Sequence, residues 1–333
     1  MSVKALRQIQ LGKETTAGTA TVATVQWAGN GVLKDDRTIT PLEYDDGFLP
    51  EQSLNYIPNA GATLEMEDTP ATFEHLPYIL AASVEATITG AADAGTGATG
   101  LIYQYDMPTS AAQTPKTFTV EMGDDQRSDE MEYSYVEKFT LTGASDEAVM
   151  VAATWKGRQA TDCAFTDVAA PTGLEPILFN KAQLYIDATG GTIGSANKTS
   201  TLLGYTLDVD MGHRQIKSAD GELYFSAIKQ TGLAVTGSLL LEHNATGEAE
   251  LNFARAGTRR LLQLKHTGSA LTTAGTAYTY KQLIINLAIE YTDVPALSDQ
   301  DGNDTIELPF RMVYSVADAL AGQITVVNQV AAL

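Results

Sequence analysis

Along this chain short runs of alternating apolar and polar residues, the spacing of half-buried strands, lead twice into a brief amphipathic stretch. The first instance is GATLEMEDTPATFEHLPYILAAS from Gly61, the second GSLLLEHNATGEAELNFARAG from Gly237. In each, the alternating run passes through an acidic, Thr-containing turn before the helix-like segment, the order expected of a duplicated two-layer unit. Identity between the two stretches is slight, so the duplication rests on pattern and position.

The same periodicity predicts the remaining elements. Residues 23–29 and 38–44 read as a hairpin across the charged turn Lys34, Asp35, Asp36 and Arg37. Residues 45–58, with Phe48, Leu49, Tyr56 and Ile57 among two prolines and Gly47, read as an ordered loop with hydrophobic anchors. A strand at 62–67 precedes a helix over 71–82, capped by Asp68 or Thr69 and distorted or divided by Pro77. Further strands are expected at 101–107, 116–122, 132–142 and 148–155. In the second half they fall at 182–186, 202–211, 223–228, 233–241, 260–265, 281–292, 305–314 and 322–327, with a helix at 249–255 capped by Asn244 or Thr246.

A length of 333 residues exceeds what one core usually supports, and two domains are the natural division. We place an N-terminal arm at 1–24, a first domain at 25–158, a connector at 159–175 and a second domain with its C-terminal segment at 176–333. Acidic residues outnumber basic ones 41 to 21, a net charge of −20, which is the wrong sign for gripping nucleic acid through its phosphates. An acidic wall would let DNA pass without sticking. Solubility alone accounts for the same charge. Neither a secretory leader nor a bilayer-length apolar run is evident, so the expected site of synthesis is a cytosol.

Little in the sequence points to catalysis. The single cysteine, Cys163, excludes an intrachain disulfide. The close glycines at 95–100 and 190–194 lack the lysine of a P-loop and the full dinucleotide spacing. His75, His213, His243 and His266 are scattered, and neither a GxSxG elbow nor an HExxH motif occurs. The run DQDGNDTIE at 299–307 superficially resembles a calcium loop, but its glycine is misplaced and strand-like segments flank it, so a β-hairpin is the expected structure. No catalytic, cofactor or metal residue is therefore assigned.

The basic cluster Arg255, Arg259 and Arg260 stands at the end of the second helix, where it complements the helix dipole or pairs with carboxylates of a neighbouring subunit. With Phe48, Leu49 and Tyr56 it makes up the candidate inter-subunit contacts.

Several ordered blocks resemble the tail tube, or major tail, proteins of long-tailed, non-contractile double-stranded-DNA phages. They are PEQSLNYIPNAGATLEMEDTP near the first helix, FTLTGASDEAVMVAATWKGR at 139–158, VTGSLLLEHNATGEAELNFARAGTRRLLQLKHTG at 235–268, and YKQLIINLAIEYTDVPALSDQDGNDTIELPFRMVY at 280–314 with the ITVVNQV ending. The resemblance spans nearly the whole chain. It implies a mainly β protein of duplicated tail-tube-type β-sandwich or barrel domains, each with a packed α-helix. It further implies a structural virion protein, without enzymatic activity or cofactor, that self-assembles into stacked rings.

In such a protein trimeric pseudo-hexameric rings, or hexamers, would enclose a channel for transient passage of double-stranded DNA without specific binding. Tape-measure, tail tip and tail terminator proteins would be partners, the host cytoplasm the place of synthesis, and the virion tail the destination. Candidate lumen-facing acids are Glu65, Glu67, Glu121, Glu132, Asp208 and Asp210. The alternative class is a capsid decoration or other virion adhesion module.

Overall fold

A computed structural model describes residues 4–42, 47, 49 and 54–333. The protein is mainly β with two α-helices, and every ladder between its strands is antiparallel. Local alternation makes the strands, but the ladders joining them are mostly long-range.

In the first part of the chain, Gln8–Lys13 pairs with Phe118–Gly123, which pairs with the long strand Ser128–Ala144. That strand pairs with Met150–Gly157 and, near its start, with Thr161–Cys163. Met150–Gly157 then pairs with Ala62–Pro70, and Ala62–Pro70 with Gly31–Asp35. In the second part the corresponding ladders follow in the same chain order. Ala182–Ala188 pairs with Arg260–Ala270, which pairs with Tyr280–Tyr291. Tyr280–Tyr291 pairs with Asn303–Met312 and with Gly322–Asn328. Asn303–Met312 pairs with Ala234–Glu242, and that strand with Leu202–Asp210. A helix follows the equivalent strand in each part: α1, Leu76–Ser83, after Ala62–Pro70, and α2, Ala245–Arg255, after Ala234–Glu242.

Each part also carries a two-stranded arm at the same point of this order. Thr38–Leu42 pairs with Leu54–Asn59 between Gly31–Asp35 and Ala62–Pro70. His213–Ile216 pairs with Ala227–Gln230 between Leu202–Asp210 and Ala234–Glu242. The two parts are stitched together by two ladders. The later half of Ser128–Ala144 pairs with Leu202–Asp210, and Leu101–Asp106 with Gly322–Asn328. Buried side chains from both parts form one continuous hydrophobic cluster.

The helices differ in how they begin. Asn244 caps α2: its side-chain oxygen accepts from the backbone N–H groups of Thr246 at 2.9 Å and Gly247 at 3.1 Å, satisfying two of the amides a helix start leaves unpaired. At α1 the expected start at residue 71 is overturned, because the strand runs on to Pro70 and the helix opens at Leu76. Pro77 therefore sits in the first turn, where its missing N–H costs nothing, rather than dividing a longer helix. Every residue of α1 is buried; its Leu76, Ile79 and Leu80 each contribute about 1.5–3 kcal/mol by leaving water.

Two other expectations change. The hairpin of 23–29 with 38–44 does not form: Val25–Gln26 pairs with Gln10 and Leu11, and Gly31–Asp35 pairs with Ala62–Pro70. The N-terminal segment expected as an arm contributes a sheet strand with Ile9 and Leu11 buried. At 299–307 the acidic run is a tight hairpin in which Gln300 faces Asn303. Asp301 and Gly302 at its tip have φ of 54° and 84°, the left-handed pair that an Asp-Gly two-residue turn supplies.

Candidate assembly surfaces

The second part's arm is docked on the first part of the chain. Phe225, between its strands, is fully buried against Tyr133 and Tyr135, with ring centroids 5.0 Å and 6.2 Å away. The His213 ring meets Tyr135 edge-on at 5.7 Å, and its Nε2 lies 2.8 Å from the Ser83 carbonyl at the end of α1. A carbonyl only accepts, so Nε2 carries the proton. Burial holds the His213 imidazole below its ordinary pKa, in the neutral form. Arg158 donates from Nε to the Phe225 carbonyl at 3.3 Å while its guanidinium stacks between Tyr133 and Tyr224. The Ala60 amide donates to the Leu223 carbonyl, and Arg214 pairs with Glu137.

Among the described residues, no comparable packing covers the first part's arm. Ile39, Leu42, Leu54, Tyr56 and Ile57 are all exposed, Ile39 by 65% and Tyr56 by 51%, as is the adjacent Val32. Large apolar side chains concentrated on one projecting ribbon mark an interaction surface, whereas single exposed ones are ordinary. Leu49, beyond the strand ends, is fully exposed. Phe48 lies outside the described residues.

A second surface is the polar face of the sheet that crosses between the two parts. Cross-strand neighbours run from Glu65 to Thr154, Lys138 and Asp210, and in the next row from Thr140 to Asp208, Thr236 and Arg311. Glu65 accepts from the Thr154 hydroxyl at 2.7 Å and Asp208 from the Thr140 hydroxyl at 2.6 Å. Glu65, Asp208 and Asp210 thus share one face, with Lys138 between them. Glu67 is exposed further along the strand of Glu65. Glu132 is half-buried, and burial raises its carboxyl pKa. Glu121 is turned inward: it is buried and accepts from both the amide and the hydroxyl of Thr166, at 2.7 Å and 2.6 Å.

The arginine cluster divides in the same manner. Arg260 is buried and grips Glu250 with two bonds of 2.8 Å and 3.1 Å, a fork on a carboxylate that also accepts from the Tyr291 hydroxyl at 3.1 Å. Its guanidinium is used inside the chain, which removes it from the exposed contacts expected of it. Arg259 and Arg255 remain on the surface. Arg259 approaches Glu290 at 3.8 Å, beside Arg311 at 3.4 Å from the same carboxylate, and Arg255 lies near Glu248. The helix-dipole role fits Arg255, which occupies the last turn of α2.

His75 and His266 are buried, structural histidines, while His243 lies partly exposed with its Nε2 3.2 Å from Glu248. His75 stacks on Trp27 at 5.1 Å, and burial lowers its pKa to about 4. His266 is likewise lowered to about 4, with Nδ1 facing the Leu178 carbonyl and Nε2 facing the Tyr205 hydroxyl. Since the carbonyl must accept, Nδ1 carries the proton and Nε2 accepts from Tyr205. No group of three or more metal-capable side chains occurs among the described residues. Sequence reasoning missed the roles of Phe225, His213 and Arg158. The available signal was the aromatic pair Tyr224-Phe225 inside an otherwise polar, charged arm.

The family model described as phage tail tube protein matches residues 4–312. No curated protein matched the chain.

Proposed function

Because the chain belongs to the phage tail tube protein family, and so is a structural virion component that assembles with other tail proteins rather than an enzyme, we propose that it forms the tube as stacked, DNA-conducting rings of two-domain subunits. Six corresponding ladders, one helix and one arm, in the same chain order in each part, carry this reading. They support tube domains at 25–158 and 176–333, the first also drawing Gln8–Lys13 from the segment 1–24 and Thr161–Cys163 from the connector 159–175. In a subunit with two such units, three copies supply six equivalent positions around an axis, the arrangement we favour over a hexamer.

The polar sheet face bearing Glu65, Asp208 and Asp210 is our candidate for the channel wall. Its three carboxylates outnumber Lys138 and Arg311 and repel phosphate, so duplex DNA slides along it without a binding register. Glu67 and Glu132 are secondary candidates for the same wall. The exposed arm residues Leu49 and Tyr56, with Arg255 and Arg259, are the candidate contacts between subunits. Tape-measure, tip and terminator proteins are the partners expected at the lumen and ends of such a tube, assembled from protein made in the host cytoplasm.

Electron microscopy of the purified full-length chain, alone and with a tail tip complex as nucleus, tests the proposal. Tubes or rings with threefold or pseudo-sixfold symmetry and an open axis are expected. A protein that stays monomeric in both conditions, or rings without a bore wide enough for duplex DNA, would overturn it.

A further inference from the structure

The joint between the two parts of one chain has two components. The edge of the later half of Ser128–Ala144 is taken by Leu202–Asp210, from Lys138 opposite Asp210 to Ala144 opposite Gly204. Directly after that strand, the arm His213–Ile216 with Ala227–Gln230 folds down onto Tyr133, Tyr135 and Arg158. Strand and arm are consecutive in sequence and act together.

Each component has a counterpart left open elsewhere in the molecule. Gly31–Asp35 corresponds to Leu202–Asp210, since each pairs with the strand leading to a helix, and its one ladder is with Ala62–Pro70. Its arm, Thr38–Leu42 with Leu54–Asn59, follows directly and is exposed. At the other end of the chain, Tyr280–Tyr291 and the segment after it correspond to Ser128–Ala144. Both are followed by a hairpin turn into the strand that pairs back toward the helix-leading strand. Residues 293–300 therefore occupy the place of the later half of Ser128–Ala144. Ser298–Gln300 pairs on one side only, with Asn303–Met312, and Val294 and Leu297 are exposed. Arg311, opposite Thr236 and Glu290, stands where Lys156 stands opposite Thr63 and Tyr135; it is exposed and lies 3.4 Å from Glu290.

We propose that a second copy of this chain occupies the open edge by repeating the internal joint: Gly31–Asp35 of one copy pairs along residues 293–300 of the next, and its apolar arm packs over Val294, Leu297 and Arg311. This rests on the tube reading and names the contact within a ring. The joint is head-to-tail, with different surfaces on its two sides, so it propagates around an axis and closes when the rotation per copy allows. It also accounts for the exposed arm. Ile39, Leu42, Leu54, Tyr56 and Ile57 stand exposed on the first arm, whereas Phe225 of the second arm is completely buried.

The test uses full-length protein with Cys163→Ser as background. Chains carrying only Val32→Cys are mixed with chains carrying only Ser298→Cys, which share a sheet face in this joint, under conditions where the wild type forms rings or tubes, then oxidised gently. The mixture is expected to give a disulfide-linked pair of chains, and neither variant alone should do so. In parallel, Leu54→Asp with Ile57→Asp should leave the melting temperature of the free chain unchanged while raising the concentration needed for assembly by about 100-fold or more, the effect of two large apolar groups kept from burial. Assembly of the wild type without the mixed cross-link, and with the arm variant assembling normally, overturns this joint while leaving the tube reading intact. Absence of rings, tubes and cross-links at every concentration overturns both.

Discussion

The two arms of this protein occupy equivalent places in the chain and opposite environments. The arm of the second part, His213–Ile216 with Ala227–Gln230, buries Phe225 against a tyrosine pair and is clamped by Arg158. The arm of the first part, Thr38–Leu42 with Leu54–Asn59, holds Ile39, Leu54 and Tyr56 in solvent. Their strand pattern is similar; what differs is whether a preceding unit lies in the same chain. On the joint proposed above, another copy supplies the neighbour that the first arm lacks, and the docked arm is the guide to that contact.

The largest expected effects come from substituting matched residues of the two arms. Phe225→Ala should cost the isolated chain about 3–5 kcal/mol in urea unfolding, because it empties a fully enclosed site. Tyr56→Ala should leave the same measurement within about 0.5 kcal/mol and act only on assembly. Equal losses in the monomer would break the contrast. A similar split is expected between adjacent arginines. Arg260→Ala removes the two-bond fork on the buried Glu250, leaving it the Tyr291 hydroxyl and Lys198 at 3.8 Å, and should destabilise by about 3 kcal/mol. Arg259→Ala, which loosens an exposed pair with Glu290, should change folding by about 1 kcal/mol or less.

Acidification sharpens the contrast from another side. His75 and His266 have folded pKa values near 4, below the usual 6.5, so on acidification the unfolded chain takes up their protons before the folded one does. Stability is intact above pH 6.5 and falls by about 1.4 kcal/mol per pH unit for each histidine as the pH drops toward 4. His213, shifted in the same direction, adds a loss centred on the docked arm. Unfolding free energies measured at pH 7 and 5 should converge partly in His266→Gln; an unchanged pH slope would contradict the neutral, buried assignment. At the docked arm, Arg158→Lys should cost about 1 kcal/mol, since lysine loses the planar stack between Tyr133 and Tyr224 yet keeps its charge.

How much of this was legible in the sequence depended on whether the deciding interaction was local. Helix α2 was readable because Asn244 caps it from the adjacent position, and the hairpin at Asp301 and Gly302 because its turn chemistry is self-contained. The start of α1 was misplaced: a proline at 70 and another at 77 offer two first turns, and the ladder of Ala62–Pro70 with Met150–Gly157 decides between them. The hairpin of 23–29 with 38–44 failed because each segment pairs with a different near neighbour, Val25–Gln26 with Gln10 and Leu11 and Thr38–Leu42 with Leu54–Asn59.

Among the candidate site residues, Glu65, Asp208 and Asp210 came together because each lies on an alternating strand with one wet face. Alternation was silent for Glu121, because Phe118–Gly123 is buried on both faces and its carboxylate is hydrogen-bonded by a loop hydroxyl and amide. Arg260 carried a usable signal: it shares strand parity with the buried Leu262 and Leu264, which turns it inward. The exposure of one arm and burial of the other was beyond local reading altogether, because it depends on which unit precedes each arm in three dimensions.

The most direct test is a density map of the assembled tube at side-chain resolution. The account predicts that the arm Thr38–Leu42 with Leu54–Asn59 of each copy lies across Val294, Leu297 and Arg311 of an adjacent copy in the same ring, in the relation that Ala227–Gln230 bears to Tyr135 and Arg158 within one chain. An arm projecting freely from the ring, or seated on the first part of a neighbouring copy, would contradict it.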